Sequence, residues 1–308
     1  MSSPNKSYMN RLLRDFVRNK YVYIMLLPVV AYYVIFHYGP MYGVQIAFKD
    51  YSPSRGFWNS SWIGFQHFND FFNSFFFWRL LKNTLLISLY EVIFAFPSAI
   101  ILALLLNEVR RMAFKRWVQT ITYLPHFISL VVISGMLIDF LARDGIINQI
   151  LGLVGIEAIP FFSLSEWFRT IYIGSGVWQN VGWGSIIFLA AISNIDPSLY
   201  EAAKVDGAGR LRQVISITIP SMMPTIMIMF ILQIGSFMAV GTDKILLLYN
   251  PTIYETADVI GTYVYRKGIL ESSYSYTAAI GLFNSIINLV LLVLANYWSR
   301  RKTDSGLW

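Results

Sequence analysis

The chain has 308 residues, of which 56% are hydrophobic and 13% charged, with a net charge of +7. Soluble domains carry about 25% charged residues, so a soluble fold of this composition would expose large apolar patches, and the bilayer is its natural solvent. Cysteine is absent, which excludes disulfides and thiolate metal sites, and His37, His67 and His126 are too far apart in sequence to suggest a metal cluster.

Residues 1–20 form a basic cytoplasmic leader. No small-residue cleavage site follows it, so the first apolar run reads as an uncleaved span. Six runs approach the roughly 20 apolar residues that a crossing helix needs: 21–38, 84–106, 118–141, 170–192, 221–240 and 276–298. Pro28, Pro97, Pro125 and Pro224 fall in or near them, where kinks are tolerated. Segment 39–83 is rich in rings, among them Phe71, Phe72, Phe75, Phe76, Phe77 and Trp78, and predicts a short interfacial helix with packing or lipid-facing roles. With an inside N-terminus, fifteen Lys and Arg fall on inside segments and nine on outside ones. The expectation is an all-α membrane protein with six transmembrane helices and both termini cytoplasmic.

Polar side chains inside spans are costly unless they face a cavity or a partner. The fourth span carries Trp178, Gln179, Asn180 and Trp183, the fifth Gln233, Ser236 and Phe237, and the sixth Asn284 and Asn288. Aromatic faces stack on sugar rings and amides bond hydroxyls, so these are candidate path residues; the plainer alternative is hydrogen bonding between helices. Glu91 and Asp139 read as structural or interfacial, because no intramembrane Lys or His accompanies them.

The polar insert between the fourth and fifth spans is the most informative stretch. Pro197 suits the first turn of a helix with Asp196 or Ser198 as cap. No breaker occurs from Ser198 to Asp206, and Gly207 and Gly209 permit a sharp bend before Arg210-Leu211-Arg212 and Pro220. Glu201-Ala202-Ala203, then Asp206-Gly207, then Ile217-Thr218-Ile219-Pro220 keep the spacing of the cytoplasmic loop of ATP-binding-cassette importer permeases, which this chain resembles. The resemblance extends to Trp62-Ile63-Gly64, Asn83-Thr84, Leu247-Leu248-Tyr249-Asn250-Pro251 and Ala257-Asp258-Val259-Ile260-Gly261-Thr262-Tyr263-Val264-Tyr265-Arg266. These segments are similar to the branch that takes up oligosaccharides of plant and algal polysaccharides, including alginate- and pectin-oligosaccharide importer permeases.

That resemblance implies the type I importer permease fold, with a core over 84–298, a coupling loop over 193–220 and a cytoplasmic tail over 299–308. It implies a bacterial cytoplasmic (inner) membrane location. It also implies a second homologous permease, two ATPase subunits and an extracytoplasmic solute-binding protein. Glu201, Ala202, Ala203, Asp206 and Gly207 would dock the ATPase, and a carbohydrate would pass among the spans. No G-x-x-x-x-G-K-[ST] phosphate loop occurs, so ATP and Mg are expected in partner subunits, with no cofactor, metal or catalytic residue on this chain and no nucleic-acid partner. Two other classes compete: a proton-coupled carrier, which needs no ATPase-docking loop, and a membrane-embedded glycan-processing enzyme, which would need a carboxylate pair at a pocket.

Overall fold

The computed structural model describes residues 15, 17–303 and 306–307; the leader charges Lys6, Arg11 and Arg14 and the terminal Trp308 lie outside them. Among the described residues every named element is helical, joined by turns and irregular loops, and the β contact is an isolated bridge between Lys49 and Trp62. Helix α1 (Lys20–Tyr33) runs on as one helical stretch to Phe48 and is apolar on every side. None of its span is buried in the rest of the chain.

Helices α2 (Phe77–Tyr90) and α3 (Phe96–Glu108) form a second run of 32 residues, joined by a π turn at Glu91–Ala95. Similar π turns stand at Val34–Tyr38 and Val214–Thr218. Each of these three ends two residues before a proline: Pro40, Pro97 and Pro220; a fourth π turn, at Arg266–Leu270, has no proline after it. A proline ring clashes with the carbonyl four residues back and cannot donate to it, and widening the preceding turn relieves that clash without ending the helix.

The third span departs from the expected continuous helix over 118–141. Helix α4 (Met112–Tyr123) passes into a 3-10 turn at Leu124–Phe127, and α5 (Leu130–Phe140) leaves at 100° to it. The break has two local causes. Pro125 stops the first helix, and Ser129 starts the second by accepting the Val132 N–H at 3.3 Å as an N-cap.

Helix α6 (Ser165–Ser193) has 29 residues and occupies the centre of the bundle. Phe188 and Ile192 pack with Ala99 and Ala103 of α3 and Met222 of α8 (Ile219–Gly235). A Cβ at Gly182 would stand 2.1 Å from the Thr122 carbonyl oxygen, so only glycine allows α4 to cross α6 this closely. Among the described residues four helical runs are long and apolar enough to cross a membrane, or five with the bent pair counted as one. Helix α6 has the length, but its glycines, serines, tryptophans and amides leave it less apolar than that standard.

Between α6 and α8 lies α7 (Pro197–Val205). After α8 come α9 (Thr242–Leu248), α10 (Ile260–Tyr265) and the long α11 (Tyr274–Thr303). The aromatic segment divides in two. Phe71 and Phe77 join Leu80, Met238, Ile260, Tyr263 and Ile280 in a core cluster, whereas Phe75 and Trp78 remain exposed.

The run from Ala257 to Arg266 has a direct physical explanation. The fully buried Asp258 accepts from Arg79 at 3.1 Å, from Arg266 at 2.7 Å and from the Thr262 hydroxyl at 2.8 Å. Asn83 donates to the Asp258 and Glu255 carbonyls, and Arg169 of α6 donates to the Asn83 side chain. The carboxylate ties α2 to the 258–266 segment, and Asn83 extends the network to α6. Asp258→Ala should destabilise the protein by about 3–5 kcal/mol, because two guanidiniums lose a buried counter-charge; a thermal melt in detergent within a degree of wild type would contradict this.

Candidate functional site

The connection from α6 to α8 builds an exposed helical turn from local rules. Asp196 caps α7 by accepting the Ser198 N–H at 2.9 Å, and Pro197 takes the first helical position. That N–H also holds the Asp196 carboxyl below its ordinary pKa. At the other end Ala208 N–H donates to the Ala203 carbonyl (2.8 Å) and Gly207 N–H to that of Lys204 (3.1 Å). This is a Schellman stop, and it places Gly207 in the left-handed region at φ +74°. The spacing from Ala203 to Gly207 is therefore the spacing from the last bonded turn to its left-handed cap.

Glu201, Ala202, Asp206 and Gly207 are all exposed, and Ala203 is half-buried. Val205 is 88% exposed, an apolar side chain with nothing of its own chain over it. The turn is nonetheless anchored: the Tyr200 hydroxyl lies 2.9 Å from the Thr218 hydroxyl, and Arg210 pairs with Glu108 at the end of α3 (3.4 Å).

The second feature is a cavity of about 430 Å³ among α6, α8, α9 and the π turn of the second span. Gln179 and Asn180 of α6 and Gln233 of α8 line it together. A smaller space of about 190 Å³ adjoins it and shares Asn180 and Gln233. The amides expected on separate spans thus meet. Trp178 and Trp183 are both exposed and do not line the larger cavity. Ser236 donates to the Gln233 carbonyl at 3.1 Å, and Phe237 packs against the aromatic core cluster. Asn284 donates to the Met238 carbonyl at 3.3 Å, and Asn288 accepts the Met238 N–H at 2.8 Å. The sixth-span pair therefore ties α11 to the end of the fifth span.

The sequence reading placed no charged residue in this cavity. Glu91 stands at the π turn of the second span, and Asp243 and Lys244 arrive on α9. Lys244 is buried, donates to the Tyr172 carbonyl at 3.0 Å and lies 4.9 Å from the Tyr172 ring centre. Glu91 thus has a lysine in its own cavity, contrary to the expectation that none would accompany it. The available signal was Lys244 following Gly241 immediately after an apolar span, where a chain can fold back toward the bundle. Among the described residues no group of three or more His, Asp or Glu is placed to hold a metal ion.

The chain thus presents an exposed, capped turn and an amide-lined cavity within the bundle, and known proteins share its sequence and fold. Residues 95–304 match the family profile of the binding-protein-dependent transport system inner membrane component. The chain is 45% identical to Protein LplB of Bacillus subtilis (strain 168), over 98% of its own length and 94% of that protein's. It is 43% identical to the polygalacturonan/rhamnogalacturonan transport system permease protein YteP of the same organism, over 98% and 95%. It also superposes on a chain of a bacterial alginate ABC transporter, solved in complex with an alginate pentasaccharide-bound periplasmic protein. That match has a TM-score of 0.90 and 44% identity, covering 96% of this chain and 100% of that one. The chain belongs to the family of binding-protein-dependent transport system inner membrane components: it is a multi-pass membrane permease subunit of an ABC importer, and not an enzyme.

Proposed function

We propose that this subunit provides half of the pathway by which a bacterial cytoplasmic membrane imports an oligosaccharide, with ATP and Mg bound by partner subunits. A second homologous permease completes the pathway. Of two ATPase subunits, one docks on α7 through Glu201, Ala202, Ala203, Asp206 and Gly207, and an extracytoplasmic solute-binding protein delivers the sugar. In this reading α6 also crosses the bilayer, giving six crossings with both termini inside, and its amides face the cavity rather than lipid.

The observation that carries the reading is the pairing of an exposed, rigidly capped turn with a polar cavity at opposite parts of one helix, α6. Gln179, Asn180 and Gln233 suit hydroxyl groups as both donors and acceptors. One relative is named for polygalacturonan and rhamnogalacturonan and the solved structure for alginate, so oligogalacturonate and alginate oligosaccharides are the first probes. The Glu91 and Lys244 charges give the proton-coupled alternative a specific basis, and nucleotide dependence decides between the two. Co-reconstituted with its second permease, ATPase and binding protein, the chain should support ATP-dependent uptake of one of these probes; purified alone, it should hydrolyse no ATP. Nucleotide-independent uptake driven by a proton gradient, or ATP hydrolysis by the isolated chain, would overturn the proposal.

A further inference from the structure

A second groove, of about 630 Å³, lies between α2 with its π turn and a different face of α6. Gln179, Asn180 and Gln233 do not line it. Arg169 and Thr170 stand at one end, in the second turn of α6. Beyond them the walls include Tyr90 and Phe94, whose ring centres are 6.1 Å apart, and Gly174 and Val177 of α6. A Cβ at Gly174 would meet nothing within 4 Å. Arg169 brings a charge to this place without a counter-charge. Its Nη2 donates to the Asn83 side chain at 2.8 Å, and its buried Nε has no hydrogen-bond partner. Asp258, the carboxylate of the neighbouring network, is already shared by Arg79 and Arg266, and among the described residues no carboxylate pairs with Arg169. A guanidinium at the edge of an apolar groove, tied only to an amide, calls for an anion.

The dimensions say which anion. From Arg169 to Val177 the helix rises about 12 Å, and the hydrocarbon of one leaflet is about 15 Å deep. With the start of α6 at the outer face, the guanidinium sits near headgroup depth and the apolar walls run down through the leaflet. A charged end joined to an apolar length of one leaflet matches a phospholipid. A sugar would find no amide below Arg169 for its hydroxyls, and a free anion has no use for apolar walls. An apolar helix of another subunit would cover the walls but leave the guanidinium unpaired.

We propose that this groove binds one anionic phospholipid of the outer leaflet, its phosphate held by the Arg169 guanidinium and one acyl chain lying along Tyr90, Phe94, Gly174 and Val177. Arginine presents paired N–H donors that match phosphate oxygens. Three guanidiniums, Arg79, Arg169 and Arg266, gather around the single carboxylate of Asp258 or the Asn83 bound to its segment, and that surplus favours a headgroup of net negative charge over a zwitterionic one. The lipid then bridges α2 and α6 along their outer halves. The inference rests on the reading of α6 as a crossing helix that starts at the outer face.

The test uses the complete transporter, purified with its second permease and ATPase and stripped of lipid in detergent. A phosphatidylglycerol with a photoactivatable group on one acyl chain should label peptides that carry Phe94 or Val177. Plain phosphatidylglycerol should compete at least tenfold better than phosphatidylcholine. Arg169→Gln should cut the labelling about tenfold, and Arg169→Lys should keep part of it. Because Arg169 also braces Asn83, Gly174→Leu gives an independent reading: it fills the groove with a Cβ that meets nothing, leaves Arg169 in place and should abolish labelling. Equal competition by the two lipids, or labelling unchanged in both Arg169→Gln and Gly174→Leu, would overturn the site. Crosslinking of Gly174→Cys to the second permease in the stripped complex would also overturn it, by making the groove a protein interface. The chain has no cysteine, so Glu166→Cys, exposed in the first turn of α6, reads the orientation in intact cells. A membrane-impermeant thiol reagent should label it from outside. External labelling without lipid capture removes the lipid site alone, while labelling from the inner side only removes the six-crossing topology and the outer-leaflet placement together.

Discussion

Replacing Gly207 with proline is expected to reduce ATP-driven uptake at least tenfold while the subunit still inserts and assembles. The effect is a backbone one. A Cβ at Gly207 would meet nothing within 4 Å, but the native φ is +74° and a proline is fixed near −65°. The Schellman stop cannot form, so α7 loses the fixed end that orients Glu201 and the exposed Val205. Gly207→Ala meets only the left-handed strain, about 1–2 kcal/mol, and should be much milder. Glu201→Lys tests the docking charge without touching the backbone, and should also separate ATP hydrolysis from uptake. Both rates are measured in the same proteoliposomes. Wild-type uptake by Gly207→Pro and Glu201→Lys together would remove α7 as the coupling element.

The second large effect is expected in the cavity. Gln179→Ala and Gln233→Ala each remove an amide from the place where two helices bring them together. Losing a hydrogen bond to a sugar hydroxyl costs about 1–3 kcal/mol, which is roughly tenfold in transport for each 1.4 kcal/mol. Sugar binding to the isolated solute-binding protein should be unchanged, since that step precedes entry. If both variants transport normally at limiting sugar, the cavity is not on the path.

The sequence was most legible where the rules are local. Asp196, Pro197 and Gly207 act within a few residues of themselves, and the capped helix with its left-handed stop follows from their order. The fourth span was also readable as a long helix, and its polar face pointed to a cavity. Helical spacing does not say which face of another helix completes the wall, so the meeting of Gln179 with Gln233 was visible only as two separate faces. The break in the third span was misjudged as a tolerated kink at Pro125. The missed signal was Ser129, an N-cap residue four positions on, which turns a kink into a stop and a restart. Lys244 and Glu91 were hidden for a different reason. Their proximity depends on α9 folding back to the bundle after α8, a tertiary event that no spacing within either segment encodes.

Helix α6 has one further consequence. It is unbroken from Ser165 to Ser193 and is held tightest at Gly182, against the Thr122 carbonyl. At 1.5 Å per residue, the helix reaches about 16 Å from that contact toward α7 and about 26 Å the other way, toward Arg169 and the Asp258 network. It is a lever with unequal arms. A tilt that moves the coupling end by about 1 Å moves the far end by about 1.6 Å in the opposite direction. Gln179 and Asn180, close to the fulcrum, hardly travel. On the proposed reading, the two ends of such a rod can trade positions while the residues assigned to the cargo stay where they are.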